Sequence, residues 1–314
     1  MVVFIACGAA AVAAERQNLS DWWRLRGYTA PAIVAQLATQ TTMDAYARKI
    51  FYVNHPEVES KDNFYKSCPN NGGEKTVVLG CYHGDQQGIY VLTVKDSRLN
   101  GVEQVTAAHE MLHAAYDRLS ARDKTYVDGL LMDYYKHDLH DQRLLNTIAA
   151  YKKSEPNAVV NEMHSVFGTE VAHLPRPLED YYKRYFTNRQ EVAAYAAQYE
   201  AAFTNREQQV SQDDATLAGL RTQINTDEAE LQTQKQAISD DQSQLNSFKQ
   251  SGDYSAYNAG VPAFNSKVDA YNALADETRG LIAQYNQLVA KRNAIALEEN
   301  QLVDDISSPP APIK

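Results

Sequence analysis

Two histidines and a glutamate stand at a spacing that suits a metal ion. His109 and His113 are four residues apart, so on a helix both imidazoles project from one face, a turn apart, and can reach the same ion. Glu110 directly follows the first histidine, which places its carboxylate beside the ion, where it can take a proton from a bound water. The spacing therefore predicts metal-assisted hydrolysis.

The residues around this motif predict a buried helix. Most positions between 105 and 115 outside the motif are apolar, and a helix that is apolar nearly all round is typical of a protein interior. Two histidines and a carboxylate in such a helix must be paired, neutralised or bound to something. The alternative interpretation is a pair of core histidines that hydrogen-bond to the backbone.

A third metal ligand is expected downstream, because catalytic zinc normally takes three protein ligands and leaves one position for water. Glu162 is the best candidate, since it is an acidic residue inside an otherwise apolar helical run from 159 to 170. His137 and His140 are rivals by residue type, but their stretch is charged and we expect it to be exposed. His83 lies in a glycine-flanked loop, and we expect it at the surface.

The two segments together resemble the gluzincins, the thermolysin-type zinc peptidases. In that family a His-Glu-x-x-His helix is followed by a second helix with an Asn-Glu pair, and here Asn161-Glu162 is similar to that pair. The resemblance covers about residues 100–175. It implies that His109, His113 and Glu162 bind zinc and that Glu110 is the general base of peptide hydrolysis.

The chain departs from the family pattern one turn beyond the ligand glutamate. The family has an aspartate there that steadies a histidine ligand, whereas this chain has Val166. Ser165, His164 and Glu170 are possible substitutes for that orienting role. The chain thus resembles an outlying relative of the family, not thermolysin itself.

Residues that contact a substrate are also expected near the metal. Lys75–Gly80 and Gly88–Lys95 are rich in β-branched and aromatic residues, which predicts an antiparallel hairpin. In gluzincins the edge strand above the metal helix pairs with the extended substrate, and Ile89–Val94 is the candidate for that strand. An oxyanion-stabilising side chain is needed as well, and the sequence does not choose among His164, His173, Tyr181, Tyr182 and Tyr185.

Composition limits the class of protein. The chain has 314 residues and a formal net charge of -10, and without a Lys/Arg cluster this charge argues against a nucleic-acid partner. Cys68 and Cys81 flank a turn-like stretch, so we predict a disulfide between them and hence an oxidising compartment. The alternative is two unpaired thiols. Cys7 is the odd cysteine.

Residues 2–14 form an uninterrupted apolar run. The run is shorter than the roughly 20 residues of a membrane helix, and no basic segment precedes it as in an export signal. Three interpretations of this run remain open: it is part of a membrane anchor, a degenerate export signal, or a buried helix of the domain. With the predicted disulfide, we expect a protein outside the cytoplasm, either membrane-anchored or secreted.

The last third of the chain differs from the rest. Apolar residues recur at seven-residue intervals over 210–245 and again over 264–302, which predicts two long helices paired as an antiparallel coiled coil. The turn is expected in Ser251–Pro262. The coiled coil could pack on the preceding domain, on a partner protein or on a second copy.

The predicted fold class is α+β, mainly α. The expected domains are an apolar N-terminal segment (1–18), a zincin-like catalytic domain with a small antiparallel sheet (19–200), a coiled-coil helical hairpin (201–306) and a proline-rich tail (307–314).

The function predicted from these features is a zinc metalloendopeptidase that hydrolyses peptide bonds of a peptide or protein substrate. The alternative is a coiled-coil interaction or envelope-organising protein with a structural or degenerate zinc site. Glu110 favours catalysis, because a purely structural site needs no base. A third possibility is a hydrolase of non-peptide amides, such as those of cell-wall material.

Overall fold

The computed structural model describes residues 16–69 and 78–306. The apolar run 2–14, Cys7, the first residues of the predicted hairpin strand and the proline-rich tail lie outside the described residues. The chain divides into two compact units, which comprise, of the described residues, 16–202 with 302–306 and 203–301. A search of the described part for helices long and apolar enough to cross a membrane found none.

Helices make up most of the first unit. They are α1 (16–25), α2 (Ala32–Gln40), α3 (Ala45–Val53), α4 (Lys61–Ser67), α5 (Val102–Asp117), α6 (Ala121–His137), α7 (Gln142–Ser154), α8 (Val159–Glu170), α9 (Arg176–Tyr182) and the first part of α10 (Arg189–Ser251). Helix α6 begins directly after Ser120, whose hydroxyl caps it by accepting from the backbone N–H of Asp123 at 3.1 Å.

The segment after α8 contains two separate helices. Helix α9 ends at Tyr182 and α10 begins at Arg189. Between them, Phe186 forms an isolated antiparallel bridge with Met43. Both residues are 2% exposed, so packing against the segment that precedes α3 interrupts the helix.

The sheet has three strands, β1 (Glu57–Glu59), β2 (Gly80–His83) and β3 (Gly88–Leu92), in the order β1-β3-β2. Strands β2 and β3 are antiparallel, which confirms that a hairpin forms here, but β2 spans Gly80–His83 and so begins where the predicted first strand, Lys75–Gly80, was expected to end. Strand β1 pairs with β3 in parallel, so the sheet is mixed and the expectation of a purely antiparallel sheet was wrong. The expected edge strand, Ile89–Val94, falls on the central strand β3, and β2 is an outer strand.

Helix α5 runs through the middle of the core of the first unit. It contacts α2, α3, α8 and strands β2 and β3, and Ala107, Ala108, Met111 and Leu112 are all 0% exposed. This confirms the predicted buried helix. Small residues also allow α8 close to it: a Cβ on Gly168 would lie 2.5 Å from Cδ1 of Leu112.

A disulfide joins Cys68, just after α4, to Cys81 on β2, as predicted. Phe64 and Leu92, at 0% and 1% exposed, pack beside it in a small second core. The bridge therefore fixes strand β2 to the preceding helix.

The second unit consists of the rest of α10 and most of α11 (Tyr254–Ile306). Ion pairs Asp214–Arg292 and Asp241–Lys267 join the two helices at residues whose numbers rise on one helix as they fall on the other, which confirms the antiparallel helical hairpin. The turn is shorter than predicted: it centres on Gly252, whose φ of 79° is left-handed. Pro262 lies inside α11.

Candidate metal centre

Three predicted ligands come together between α5 and α8. Atom Nε2 of His113 lies 3.0 Å from Nε2 of His109. The Glu162 carboxylate approaches both, with Oε2 at 3.6 Å from His109 Nε2 and Oε1 at 3.4 Å from His113 Nε2. Glu162 lies 49 residues beyond His113 in the sequence (162 - 113), so the fold brings together side chains that are distant along the chain.

The local structure explains why the side chains converge. The two histidines share one face of α5 because they are four residues apart. Helix α8 packs along that face, and Gly168 lets it approach closely, since a side chain there would overlap Leu112 of α5. The side chains of His109, His113 and Glu162 are 17%, 12% and 12% exposed, so the cluster is largely shielded while an opening to solvent remains.

The Glu162 carboxylate is charged and incompletely paired. Burial raises the pKa of the Glu162 carboxyl, but the imidazoles of His113 and His109 and a hydrogen bond with the Tyr151 side chain outweigh burial, so its pKa lies below the usual value. Its Oε2 atom is buried without a hydrogen-bond partner. A buried carboxylate whose two oxygens each face an imidazole nitrogen is suited to a cation.

Glu110 lies beside the cluster and not in it. Its side chain is buried, at 6% relative exposure, and packs against the start of strand β2. A Cβ on Gly80 would lie 2.8 Å from Oε1 and 2.9 Å from Cγ of Glu110. The absence of a side chain at position 80 therefore makes room for the Glu110 carboxylate.

A cleft of about 600 Å³ opens over the cluster. Strand β2 and the residues before it form one wall, and α7 and α8 contribute others. Its lining includes His109, Glu110, His113 and Glu162, together with Leu79, Gly80, Cys81, Tyr82, Asp117, Arg143, Thr147, Tyr151, Glu155, Asn161, Val166, Glu170 and Tyr199.

Val166, at the position of the family's orienting aspartate, and its three possible substitutes lie in different surroundings. Val166 lines the cleft. Glu170 pairs with Arg143 at 2.7 Å. Nε2 of His164 lies 2.9 Å from the Tyr181 hydroxyl, and Ser165 is 0% exposed. The orienting role therefore stays unassigned.

The five residues considered for oxyanion stabilisation lie outside the cleft lining. His164 is 0% exposed and is surrounded by the rings of Tyr181, Tyr182 and Tyr185. Burial and the nearby imidazoles of the ligand pair lower the pKa of His164 to about 3, so this ring is neutral. His173 borders a different cavity.

Sequence reasoning missed the polar face of α7. Arg143, Thr147 and Tyr151 all line the cleft, while Leu144 and Ile148 on the same helix are buried in the core. The four-residue spacing of the three polar residues marks one helix face. This spacing could be recognised in the sequence, but the sequence did not show which face of α7 lies against the predicted metal ligands.

A charged cluster lies at the α7 end of the cleft. Arg143 pairs with Glu170 and with Glu200, both at 2.7 Å. Burial and the neighbouring Glu170 raise the pKa of Glu200 to about 7 despite Arg143. Glu200 is thus close to its titration midpoint at neutral pH.

The remaining histidine predictions have mixed outcomes. His137 and His140 are exposed, as expected. His83 was expected at the surface but is half-buried, with Nε2 at 2.8 Å from the carbonyl of Ser67. It lies close to the sulfurs of Cys68 and Cys81, which their disulfide occupies, so they are not free to bind a metal.

Comparisons of the chain with protein-family models, with curated proteins and with solved structures found no match.

Proposed function

We propose that this protein is a zinc-dependent metallopeptidase of gluzincin type, with His109, His113 and Glu162 as the metal ligands and Glu110 as the general base. The observation that carries the proposal is the convergence of two imidazole nitrogens and one carboxylate at the floor of a cleft, between helices that are far apart in sequence. The zinc assignment rests on the chemistry of this donor set.

The distances among the donor atoms suit zinc. Ligand bonds of 2.0–2.1 Å in a tetrahedral arrangement separate any two donors by about 3.3 Å. The observed separations are 3.0, 3.4 and 3.6 Å. Among the described residues this group has three donors, which leaves a fourth position for water or substrate, as in catalytic zinc sites.

When bound, the ion would lower the pKa of a water and polarise the scissile carbonyl. The residues of the chain supply the rest. Glu110 is held beside the cluster by the packing of Gly80 against its side chain, in position to accept a proton from the attacking water and pass it to the leaving amine. Tyr151 hydrogen-bonds to the Glu162 carboxylate and would hold it in one orientation.

The substrate would bind along the cleft in extended form. Strand β2 lines the cleft through Gly80, Cys81 and Tyr82, and among the described residues it pairs with β3 alone. Its other edge can pair with a peptide backbone. In this proposal β2 takes the role that sequence reasoning gave to Ile89–Val94, because β3 has strands on both sides.

The alternative, an interaction protein with a structural or degenerate zinc site, fits these residues less well. A structural site is closed by a fourth protein ligand, whereas this group opens to a cleft and has a carboxylate base beside it. The helical hairpin remains compatible with a partner protein in either case. The Cys68–Cys81 disulfide supports a location outside the cytoplasm, which we propose together with a membrane tether.

The test is to measure zinc content and hydrolysis of casein or a peptide for the native chain and for Glu110→Gln. We expect both to bind one zinc and the variant to lose hydrolysis by at least about a hundredfold, since general-base catalysis contributes 10²–10⁴-fold. Glu57→Gln is the matched control, because Glu57 lies on the exposed start of β1. Equal hydrolysis by native chain and Glu110→Gln would refute the proposed base, and a native chain without zinc would refute the metal site.

A further inference from the structure

Helix α1 carries an exposed apolar face. Leu19, Trp22 and Trp23 are 59%, 54% and 60% exposed, and their spacing of three and four residues places them together on one side of the helix. The two tryptophans are the only two in the chain. Scattered exposed apolar residues are ordinary, but three large ones on one helix face mark an interaction surface.

The orientation of this face is fixed by the opposite side of α1. Asp21 is 1% exposed and pairs with Arg118, the residue after α5, at 2.8 Å and with Lys49 of α3 at 2.9 Å. Arg24 donates from Nε to the carbonyl of Val53. Because these contacts hold one side of the helix against the core, the tryptophan side is held towards solvent.

Arginines stand at both ends of the apolar face. Arg16 and Arg26 fall on the same side by helical spacing, three residues before Leu19 and three after Trp23. Both are exposed. The guanidinium of Arg26 lies 5.4 and 5.6 Å from the ring centroids of Trp22 and Trp23, so the cation and the rings form one surface. This surface is cationic although the chain as a whole carries a net charge of -10.

We propose that this face of α1 binds the surface of a lipid bilayer that contains anionic headgroups. Tryptophan is enriched at the membrane–water interface, and arginines beside an apolar strip are attracted to anionic lipid. The exposed apolar area is about 400 Å² from the sizes of these side chains, half of the roughly 800 Å² that each partner of a stable protein–protein interface buries. In the sequence, the apolar run 2–14 ends two residues before Arg16, the first described residue of α1.

This inference is independent of the proposed peptidase activity, and its test uses no activity measurement. Tryptophan emission of the full chain is recorded with vesicles of phosphatidylcholine and phosphatidylglycerol, some of them with lipids spin-labelled at the headgroup. Because only two tryptophans are present, Trp22→Phe and Trp23→Phe each leave one reporter on the face. We expect emission at shorter wavelength and quenching by the labelled lipid for both variants.

The matched control moves the reporter elsewhere. Tyr126 is 59% exposed on α6, so Tyr126→Trp combined with Trp22→Phe and Trp23→Phe gives a reporter of similar exposure away from α1. We expect this reporter to stay in water. Arg16→Gln with Arg26→Gln should weaken partition into anionic vesicles by about thirtyfold, about fivefold for each cation.

Three results would overturn the proposal. Tryptophan emission at positions 22 and 23 could be unchanged by vesicles, or the reporter at position 126 could respond equally, which would mean adsorption without a specific face. Alternatively, the emission could shift with protein concentration in the absence of vesicles, which would identify the face as a contact between copies of the chain.

Discussion

A methyl group added at Gly80 should separate metal binding from hydrolysis without altering any ionisable residue. In Gly80→Ala the new Cβ would lie 2.4 Å from Cγ2 of Thr106, 2.8 Å from Oε1 of Glu110 and 2.9 Å from its Cγ. Carbon atoms in contact sit about 3.5–4.0 Å apart, so these groups must move by about 1 Å. Thr106 and Glu110 are both on α5, which the core holds in place, and the β-branched Thr106 side chain is stiff. Strand β2 must therefore shift away from α5, and the more flexible Glu110 side chain must move as well.

The size of the effect follows from that displacement. A catalytic group misplaced by about 1 Å can cost about a hundredfold in rate, and forcing a methyl group into a packed interior costs about 1–3 kcal/mol of folding stability. The ligands His109, His113 and Glu162 are not among the three nearest atoms to the new methyl group. We therefore expect kcat/KM to fall by about a hundredfold while zinc content stays near one per chain.

The assay is hydrolysis of a peptide by zinc-loaded Gly80→Ala, with zinc content and thermal unfolding measured on the same sample. Gly84→Ala is the control, because the nearest atom to its new Cβ is Oδ2 of Asp117 at 3.9 Å, an ordinary contact. Gly84 also borders the cleft, so the control tests an added methyl group in the same wall. Gly80→Ala protein that is folded and zinc-loaded could hydrolyse peptide as fast as Gly84→Ala. In that case the placement of Glu110 against β2 would not matter for catalysis, and our mechanism would be wrong.

Further predictions concern the metal ligands, the cleft and the disulfide. Glu162→Ala should weaken zinc retention against a chelator by more than a hundredfold, since loss of an outer partner alone costs 10–100-fold; unchanged retention would mean another third ligand. Tyr151→Phe should weaken zinc retention by about tenfold because its hydrogen bond to Glu162 is lost. The pKa of Glu200, raised from 4.5 to about 7 by burial and Glu170, makes the folded state bind a proton that the unfolded state has released. The native free energy of unfolding should therefore fall by up to about 3 kcal/mol as pH rises from 4.5 to 7, and Glu200→Gln should flatten that slope in denaturant titrations. Mass spectrometry without reduction should show the Cys68–Cys81 bridge. Cys68→Ser combined with Cys81→Ser should lower the free energy of unfolding by about 3 kcal/mol in denaturant titrations, because a bridge between cysteines 13 residues apart restricts the unfolded chain.

Features set by local spacing could be predicted from the sequence. The shared face of His109 and His113 depends only on helix periodicity, and the burial of α5 follows from its apolar composition. Glu162 was identified because a carboxylate in an apolar helix needs a partner, and its carboxylate oxygens lie 3.6 and 3.4 Å from the two imidazoles. The disulfide followed from two cysteines on either side of a turn-like stretch.

Features set by long-range packing could not be predicted from the sequence. Strand β1 has three residues, Glu57–Glu59, and too little alternation to be recognised, yet its pairing with β3 makes β2 an outer strand. The tyrosines after α8 were considered for catalysis by residue type, whereas they pack around His164 in the core. The contact of Gly80 with Glu110 joins residues 30 positions apart on different elements, and nothing in the local sequence marks it.

The cluster itself argues for a cation more directly than the motif does. Neutral imidazoles present lone pairs at nitrogen, and the carboxylate of Glu162 presents only acceptor oxygens. A neutral imidazole also carries one N–H, but where both facing Nε2 atoms are acceptors the three groups repel one another unless a proton or a metal ion lies among them. One shared proton can join two of the three, and it leaves the buried Oε2 of Glu162 without a donor. A divalent ion would bond all three at once, which supports the proposed metal site over a hydrogen-bonded pair of core histidines.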